Sequence, residues 1–520
     1  MLEYFYTGAR ILVVKCNSMG LFGMDSYIVE VEADVSGGPL SFEIVGLPDA
    51  AVKESRERVR TAMIHCGFAF PERHITVNLA PADIRKEGPL YDLPILIALL
   101  KATEQLSNDI SDFAFIGELS LSGEIRATNG VLPMVIRARD EGFKAVFVPF
   151  KNGLEGAVVE GIDVYPVRDI RELINHLKDK IKIEKAIPNM SGILSAPMPD
   201  FSEVRGQFEA KRALEIAAAG GHNVLLIGPP GAGKSMLAKR MPSILPDMTF
   251  DEMIETSKIH SVAGTLPEGE SLIRIRPFRS PHHTVSPVGL SGGGTIPKPG
   301  EVSLAHGGVL FLDELPEFSR QALEVLRQPI EDSVVTVSRV HATVSYPCSV
   351  MLIAAMNPCP CGFYGHPKRK CTCNPKAINR YLGRVSGPLL DRIDIHIEVP
   401  PVEYDELSGK AQCGEPSEKI KERVNKARAV QHKRFEGTGI TCNARITSNL
   451  LHKICVMSDE AEAVLKKAFE KLNLSARAFD RVLKVARTIA DLDESEIIES
   501  AHILEAVQYR TLDKKYWDAE

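Results

Sequence analysis

The stretch NVLLIGPPGAGKSMLAKRM, from Asn223 to Met241, constrains the fold more than any other part of the chain. An apolar run, a Gly/Pro loop closing on Lys-Ser and a helix-like run follow one another without a gap, the order that a phosphate-binding loop requires. Gly228, Pro229, Pro230, Gly231, Ala232, Gly233, Lys234 and Ser235 form the loop. Its glycines let the backbone curl until N–H groups and the helix N-terminus face the β- and γ-phosphates. Lys234 adds a point charge and Ser235 a hydroxyl for Mg²⁺. The expected ligands are ATP and Mg²⁺, and the expected fold around the loop is a doubly wound parallel sheet.

Other runs fall where such a sheet would deliver them. GGVLFLDE ends in adjacent acids, Asp313 for the Mg²⁺ shell and Glu314 to polarise the attacking water. SVMLIAAMN delivers Asn357, whose amide orients water against the γ-phosphate or else caps a turn. In SGPLLDRIDIHIEV, Arg392 is the candidate for an arginine finger acting in trans, with a salt bridge to Asp391 or Asp394 as the plainer role. LSARAFDRVL puts Arg477 at a helix start, able to reach back to the γ-phosphate, with Arg481 one turn on as the alternative.

The remaining text is organised around this centre. At 520 residues and 44% hydrophobic, the chain needs several cores, and three or more domains are expected. Residues 1–175 alternate strand-like and helix-like runs and hold no nucleotide loop. Residues 176–201 have linker composition, 202–400 hold the nucleotide motifs, and 401–520 are helical with few β-branched runs. A net charge of −6 with interleaved signs excludes a uniformly basic surface, so any nucleic-acid contact must be local. No leader-like start or membrane-length apolar run is present, which predicts a soluble, cytoplasmic protein.

Four of the ten cysteines fall in CPCGFYGHPKRKCTC. Cys359, Cys361, Cys371 and Cys373 form two C-x-C pairs that could close a tetrahedral Zn²⁺ site, with free thiols as the alternative and His366 as a substitute ligand. Lys368, Arg369 and Lys370 would then stand on a rigid knuckle suited to phosphate contact. VVTVSRVHATVSYP reads as a β-hairpin with Arg339 and His341 at its tip, the favoured DNA contact or else a solvated turn. RIRPFRSPHHTVSPVGLSGGG, with Arg274, Arg276, Arg279 and two histidines, is either an insert facing a central pore or a loop supporting the nucleotide site.

Together GPPGAGKS, RPFRSPHHTVSPVGLSGGG, PKPGEVSLAHGGVLFLDELPEF, NPCPCG and SGPLLDRIDIHIEVP resemble the magnesium-chelatase-like AAA+ proteins of the YifB/ComM family. The resemblance implies a multidomain α/β chain: a Lon-protease-like N-terminal domain, a P-loop AAA+ core with a helix-2 insert, and a C-terminal helical lid. It further implies a hexameric helicase that promotes DNA branch migration in recombination or natural transformation, acting on single-stranded or branched DNA alongside recombination proteins. A magnesium-chelatase motor subunit and an ATP-switched scaffold are the rival readings. In the Lon-like segment, RKEGPLYDLP puts Leu90 at the position of the protease serine and TNGVLPM puts Leu132 at or near the lysine. Leucine neither attacks a carbonyl nor accepts a proton, so no peptidase activity is expected.

Overall fold

The computed structural model describes residues 13–189, 198–294, 297–339, 342–401, 414–472 and 474–517. Its contacts divide into two units, Met1–Ile193 with Met253–Ile273, and Leu194–Glu252 with Arg274–Glu520. The segment Met253–Ile273 thus lies between the phosphate loop and the Asp-Glu strand in sequence, yet clusters with the first unit.

The first unit is built on a seven-stranded sheet of β1 (Val14–Phe22), β2 (Asp25–Ser36), β3 (Ser41–Val45), β4 (His74–Ala80), β5 (Phe113–Phe115), β6 (Ala145–Pro149) and β7 (Asp163–Val167), in the order β3-β4-β2-β1-β5-β6-β7. In β2 the alternation is visible residue by residue: Val29, Val31 and Ala33 are buried while Glu30, Glu32 and Asp34 reach towards water. β6 is buried along its whole length, as a strand covered on both faces must be. Helices α1 (Ala50–His65), α2 (Asp92–Ala102) and α3 (Val131–Asp140) pack on the sheet. From Leu93 to Leu100 every residue of α2 is buried, so this helix is core rather than surface. Its first residue, Asp92, is held by Arg58 through bonds of 2.6 and 3.0 Å and by the Leu119 amide at 3.1 Å.

The second unit holds a five-stranded parallel sheet of β8 (Val224–Ile227), β9 (Phe278–Arg279), β10 (Val309–Leu312), β13 (Met351–Met356) and β14 (Ile395–Glu398), ordered β9-β10-β13-β8-β14. Between them in sequence, β11 (Val334–Arg339) and β12 (Ala342–Pro347) form a separate antiparallel hairpin. The central strands are apolar throughout and wholly buried. Helix α4 (Phe208–Gly220) leads into β8, and α5 (Lys234–Arg240) leaves the phosphate loop.

Helices α6 (Ser417–Arg434), α7 (Asp459–Leu472), α8 (Ala476–Leu492) and α9 (Ser500–Gln508) close the chain. They share one apolar core with the sheet, through Val424, Leu483, Ile489 and Ile503 beside Leu214, Val224 and Ile395. A buried polar seam joins them: Arg434 and Asn443 each reach Asp491 at 2.8 Å, and Thr488 meets His222 at 2.8 Å. Among the described residues no helix is long and apolar enough to cross a membrane.

Candidate nucleotide site

Because all five strands run the same way, the loops after β8, β10 and β13 open on one edge of the sheet. There a cavity of about 460 Å³ is lined by Pro230 to Met236, Asp313, Glu314, Met356 and Asn357. The loop owes its shape to two glycines. Gly231 and Gly233 hold φ at +78° and +90°, where a side chain would be strained. Gly228 is required for space instead, since a Cβ there would meet the Val399 carbonyl oxygen at 2.3 Å.

Lys234 is buried and spends its ammonium on the Gly228 and Pro229 carbonyls at 2.7 and 3.0 Å and on Asn357 Oδ1 at 3.1 Å. Burial pushes it down to about 8, against the opposing charges of Asp313 and Glu314. Ser235 Oγ donates to Asp313 Oδ2 at 2.5 Å. A hydroxyl and a carboxylate this close offer hard oxygen donors, the kind Mg²⁺ takes together with phosphate oxygens. Glu314 follows at φ +53°, in the left-handed region, with its carboxylate mostly exposed at the cavity mouth. His283, in the segment that the sequence left either facing a pore or supporting the nucleotide site, places Nδ1 3.4 Å from Glu314 Oε2.

The arginines separate into committed and uncommitted groups. Arg392 ion-pairs with Glu331 and donates to the Pro388 carbonyl at 2.7 Å; neither Asp391 nor Asp394 is its partner among the described residues. Arg481 ion-pairs with Asp394, which is fully buried, also receives the Asn223 amide at 2.9 Å, and is held far below the usual carboxylate range. Burial alone would raise this acid; Arg481 and His222 overcome that. Arg477, by contrast, is exposed in the first turn of α8. Arg276 is absorbed by the Pro246, Asp247 and Gly307 carbonyls and Glu252, and Arg279 makes two bonds to Glu301 at 2.7 and 2.8 Å, so both serve the local structure.

The four cysteines converge. Sγ of Cys359 lies 3.4 Å from that of Cys361 and 3.7 Å from that of Cys371, Cys361 and Cys371 are 3.5 Å apart, and all four sulfurs, Cys373 included, lie within 4.8 Å of one another. A tetrahedral tetrathiolate zinc site has Zn–S bonds of about 2.3 Å, which separates its sulfurs by about 3.8 Å, so the residues fit the metal. His366 is used otherwise: its Nδ1 accepts the Lys368 and Arg369 amides at 3.0 and 2.9 Å and shapes the turn. Lys368, Arg369 and Lys370 are exposed there, with Arg369 stacked 5.2 Å from the centre of the Phe363 ring. Gly362 touches the nucleotide loop itself, since a Cβ on it would come within 2.4 Å of the Pro230 ring. Nothing in the sequence signals that contact. Arg339 ends β11 opposite Ala342, and His341 lies outside the described residues.

The first unit holds the two leucines singled out in the sequence. Leu90 and Leu132 are both buried, and the Leu132 amide donates to the buried Glu155 carboxylate at 3.0 Å.

Comparison with known proteins agrees with this layout. Residues 31–152 match the family described as subunit ChlI of Mg-chelatase, 200–407 match magnesium chelatase, subunit ChlI, and 414–510 match its C-terminal family. The chain is 44% identical over 493 residues to the uncharacterized protein YifB of Escherichia coli, covering 95% of this chain and 96% of that one. It is 41% identical over 503 residues to Competence protein ComM of Haemophilus influenzae, covering 95% and 97%. Lon protease 2 of Bacillus subtilis is a distant relative, 24% identical over 181 residues, or 31% of this chain and 32% of that protein.

Proposed function

The chain belongs to the magnesium-chelatase-like family that includes YifB and ComM, and from that premise we propose that it is an ATP-driven, ring-forming DNA motor of the branch-migration type. The observation that carries the reading is the convergence of Lys234, Ser235, Asp313, Glu314 and Asn357 on one cavity. Backbone amides of Gly231 to Ser235 and the Lys234 charge bind the triphosphate. Ser235 and Asp313 would hold Mg²⁺, which screens phosphate charge when bound. Glu314 accepts the proton of the attacking water, and Asn357 orients that water while tethering Lys234.

Assembly into a hexamer supplies what a single chain lacks. Arg392, latched to Glu331 in the isolated chain, is the finger that exchanges this partner for a neighbour's γ-phosphate. Arg477 is the lid residue that reads the same phosphate, since Arg481 is committed to Asp394. The work is done on single-stranded or branched DNA, contacted by Arg339 and His341 of the hairpin and by Lys368, Arg369 and Lys370 of the knuckle, whose four cysteines would hold Zn²⁺. One relative is named for competence, which favours DNA over porphyrin as the object of the motor. The Lon-like unit serves as a platform without peptidase activity.

The test is a three-strand branch-migration assay with purified protein and ATP, controlled by Glu314→Gln. Strand exchange by the wild-type chain and none by the variant is expected. ATP turnover with no binding or movement of any DNA would overturn the motor reading and leave a chelatase-type motor or a scaffold.

A further inference from the structure

His283 stands beside the acid assigned to activate water, at the end of two neighbouring parallel strands. Phe278 lies beside Val309 and Arg279 beside Leu310. Both strands end short of the site, at Arg279 and Leu312, and the turns that follow carry His283 and Glu314 out from the same side of the sheet. The side chains approach to ion-pair distance, with His283 Nδ1 3.4 Å from Glu314 Oε2.

The histidine is held from several sides. Upstream, Arg279 anchors β9 through its paired bonds to Glu301. His282 lies against the His283 ring at a centroid distance of 4.1 Å and is itself fixed by the Thr284 hydroxyl at 2.9 Å. Phe318 meets the His283 ring edge-on at 6.5 Å. Glu314 is the opposite case. Its backbone is fixed at a positive φ, but its carboxylate is 59% exposed, and among the described residues His283 is the one group within ion-pair distance of it. An exposed carboxylate on three free rotors makes a poor base, because the geometry for taking a proton is rarely populated.

We infer that His283 is a positioning residue for Glu314. In the Nδ1–H tautomer the ring donates to one carboxylate oxygen and fixes the plane of the acid, so that the other oxygen faces the water. The inference rests on the ATP-hydrolysis reading and extends it to a residue outside the loop, the Asp-Glu pair and Asn357.

Steady-state ATPase measurements and the affinity of a fluorescent ATP analogue, on the full-length chain, test it. His283→Ala is expected to lower kcat about tenfold with KM and analogue affinity within about twofold, because the ground-state contacts to the nucleotide are untouched. His283→Asn, which restores an N–H donor, should recover most of the loss. His283→Phe, which keeps a ring against Phe318 without a donor, should not. An unchanged kcat in His283→Ala, or recovery by Phe equal to that by Asn, overturns the inference. If His283→Ala fails to fold, the Asn and Phe pair carries the same comparison. A wild-type chain without ATP turnover would sink the hydrolysis reading first and this inference with it, a result distinct from wild-type turnover that is insensitive to His283.

Discussion

Lys234 and Leu132 are both buried side chains in α/β units, yet they stand for opposite uses of burial. In the second unit the C-terminal edge of the sheet keeps a lysine, two carboxylates, an amide and a hydroxyl around an open cavity. In the first unit Leu90 and Leu132 are packed into core. Burying a charge costs stability that a ligand can return, whereas burying leucine returns it at once. A site and a packed core therefore differ in what their residues do when nothing is bound.

The largest effect expected is a double dissociation. Lys234→Met should reduce ATP turnover by roughly a thousandfold, through lost phosphate binding and transition-state charge, while leaving the thermal midpoint of the ligand-free protein unchanged or higher. Leu132→Ala should do the reverse. It should cost about 2–5 kcal/mol in the first unit, as fully buried leucines do, with ATP turnover per folded molecule nearly unchanged. Differential scanning calorimetry beside a coupled ATPase assay reads both. A Lys234→Met protein that is markedly less stable, or a Leu132→Ala protein that melts at the wild-type temperature, would break the contrast.

The cysteine knuckle lies between these extremes, since its groups are polar but would be satisfied by a resident ion rather than by a passing substrate. Its four sulfurs already lie within 4.8 Å of one another, and Gly362 lies against Pro230. Cys361→Ser should therefore abolish stoichiometric zinc in metal analysis and raise KM for ATP by up to about tenfold, through slack passed to the loop. Full ATP affinity in a zinc-free protein would show that the contact with Pro230 is passive.

How far the sequence foretold these regions follows from how local each device is. The phosphate loop is a run of neighbouring residues whose conformation depends on its own glycines, so it was legible, as were the strands that bring Asp313 and Asn357 to the same edge. The cysteine cluster was legible for the same reason. The choice between Arg477 and Arg481 was not, because Asp394, the partner that commits Arg481, is 87 residues away in the chain. Nor was the contact of His283 with Glu314, which depends on where the turns after two neighbouring strands bring their side chains. The clustering of Met253–Ile273 with the first unit was equally hidden, for its composition resembles that of the helices on either side.

The smallest effect is also the one that tests whether Lys234 bears the cost assigned to it. Burial lowers this lysine from the ordinary range to about 8 in the ligand-free protein, and bound phosphates would restore its charge. Between about 8 and the ordinary lysine range near 10.4, the folded, ligand-free chain thus binds fewer protons at this site than the unfolded chain. Lys234 therefore disfavours the ligand-free fold below pH 8, and that cost is relieved as pH rises through this window. ATP affinity moves the other way, because binding selects the charged form. Between pH 7.5 and 8.5 the charged fraction falls about threefold, and the affinity should fall with it. Titration calorimetry in buffers of different ionisation enthalpy should show proton uptake on binding that grows across the same interval. Lys234→Arg, whose charge does not titrate here, should show neither the uptake nor the decline. A wild-type affinity that stays flat to pH 9 would mean that the loop keeps its lysine charged without a ligand, and the contrast with the buried leucine would lose its energetic basis.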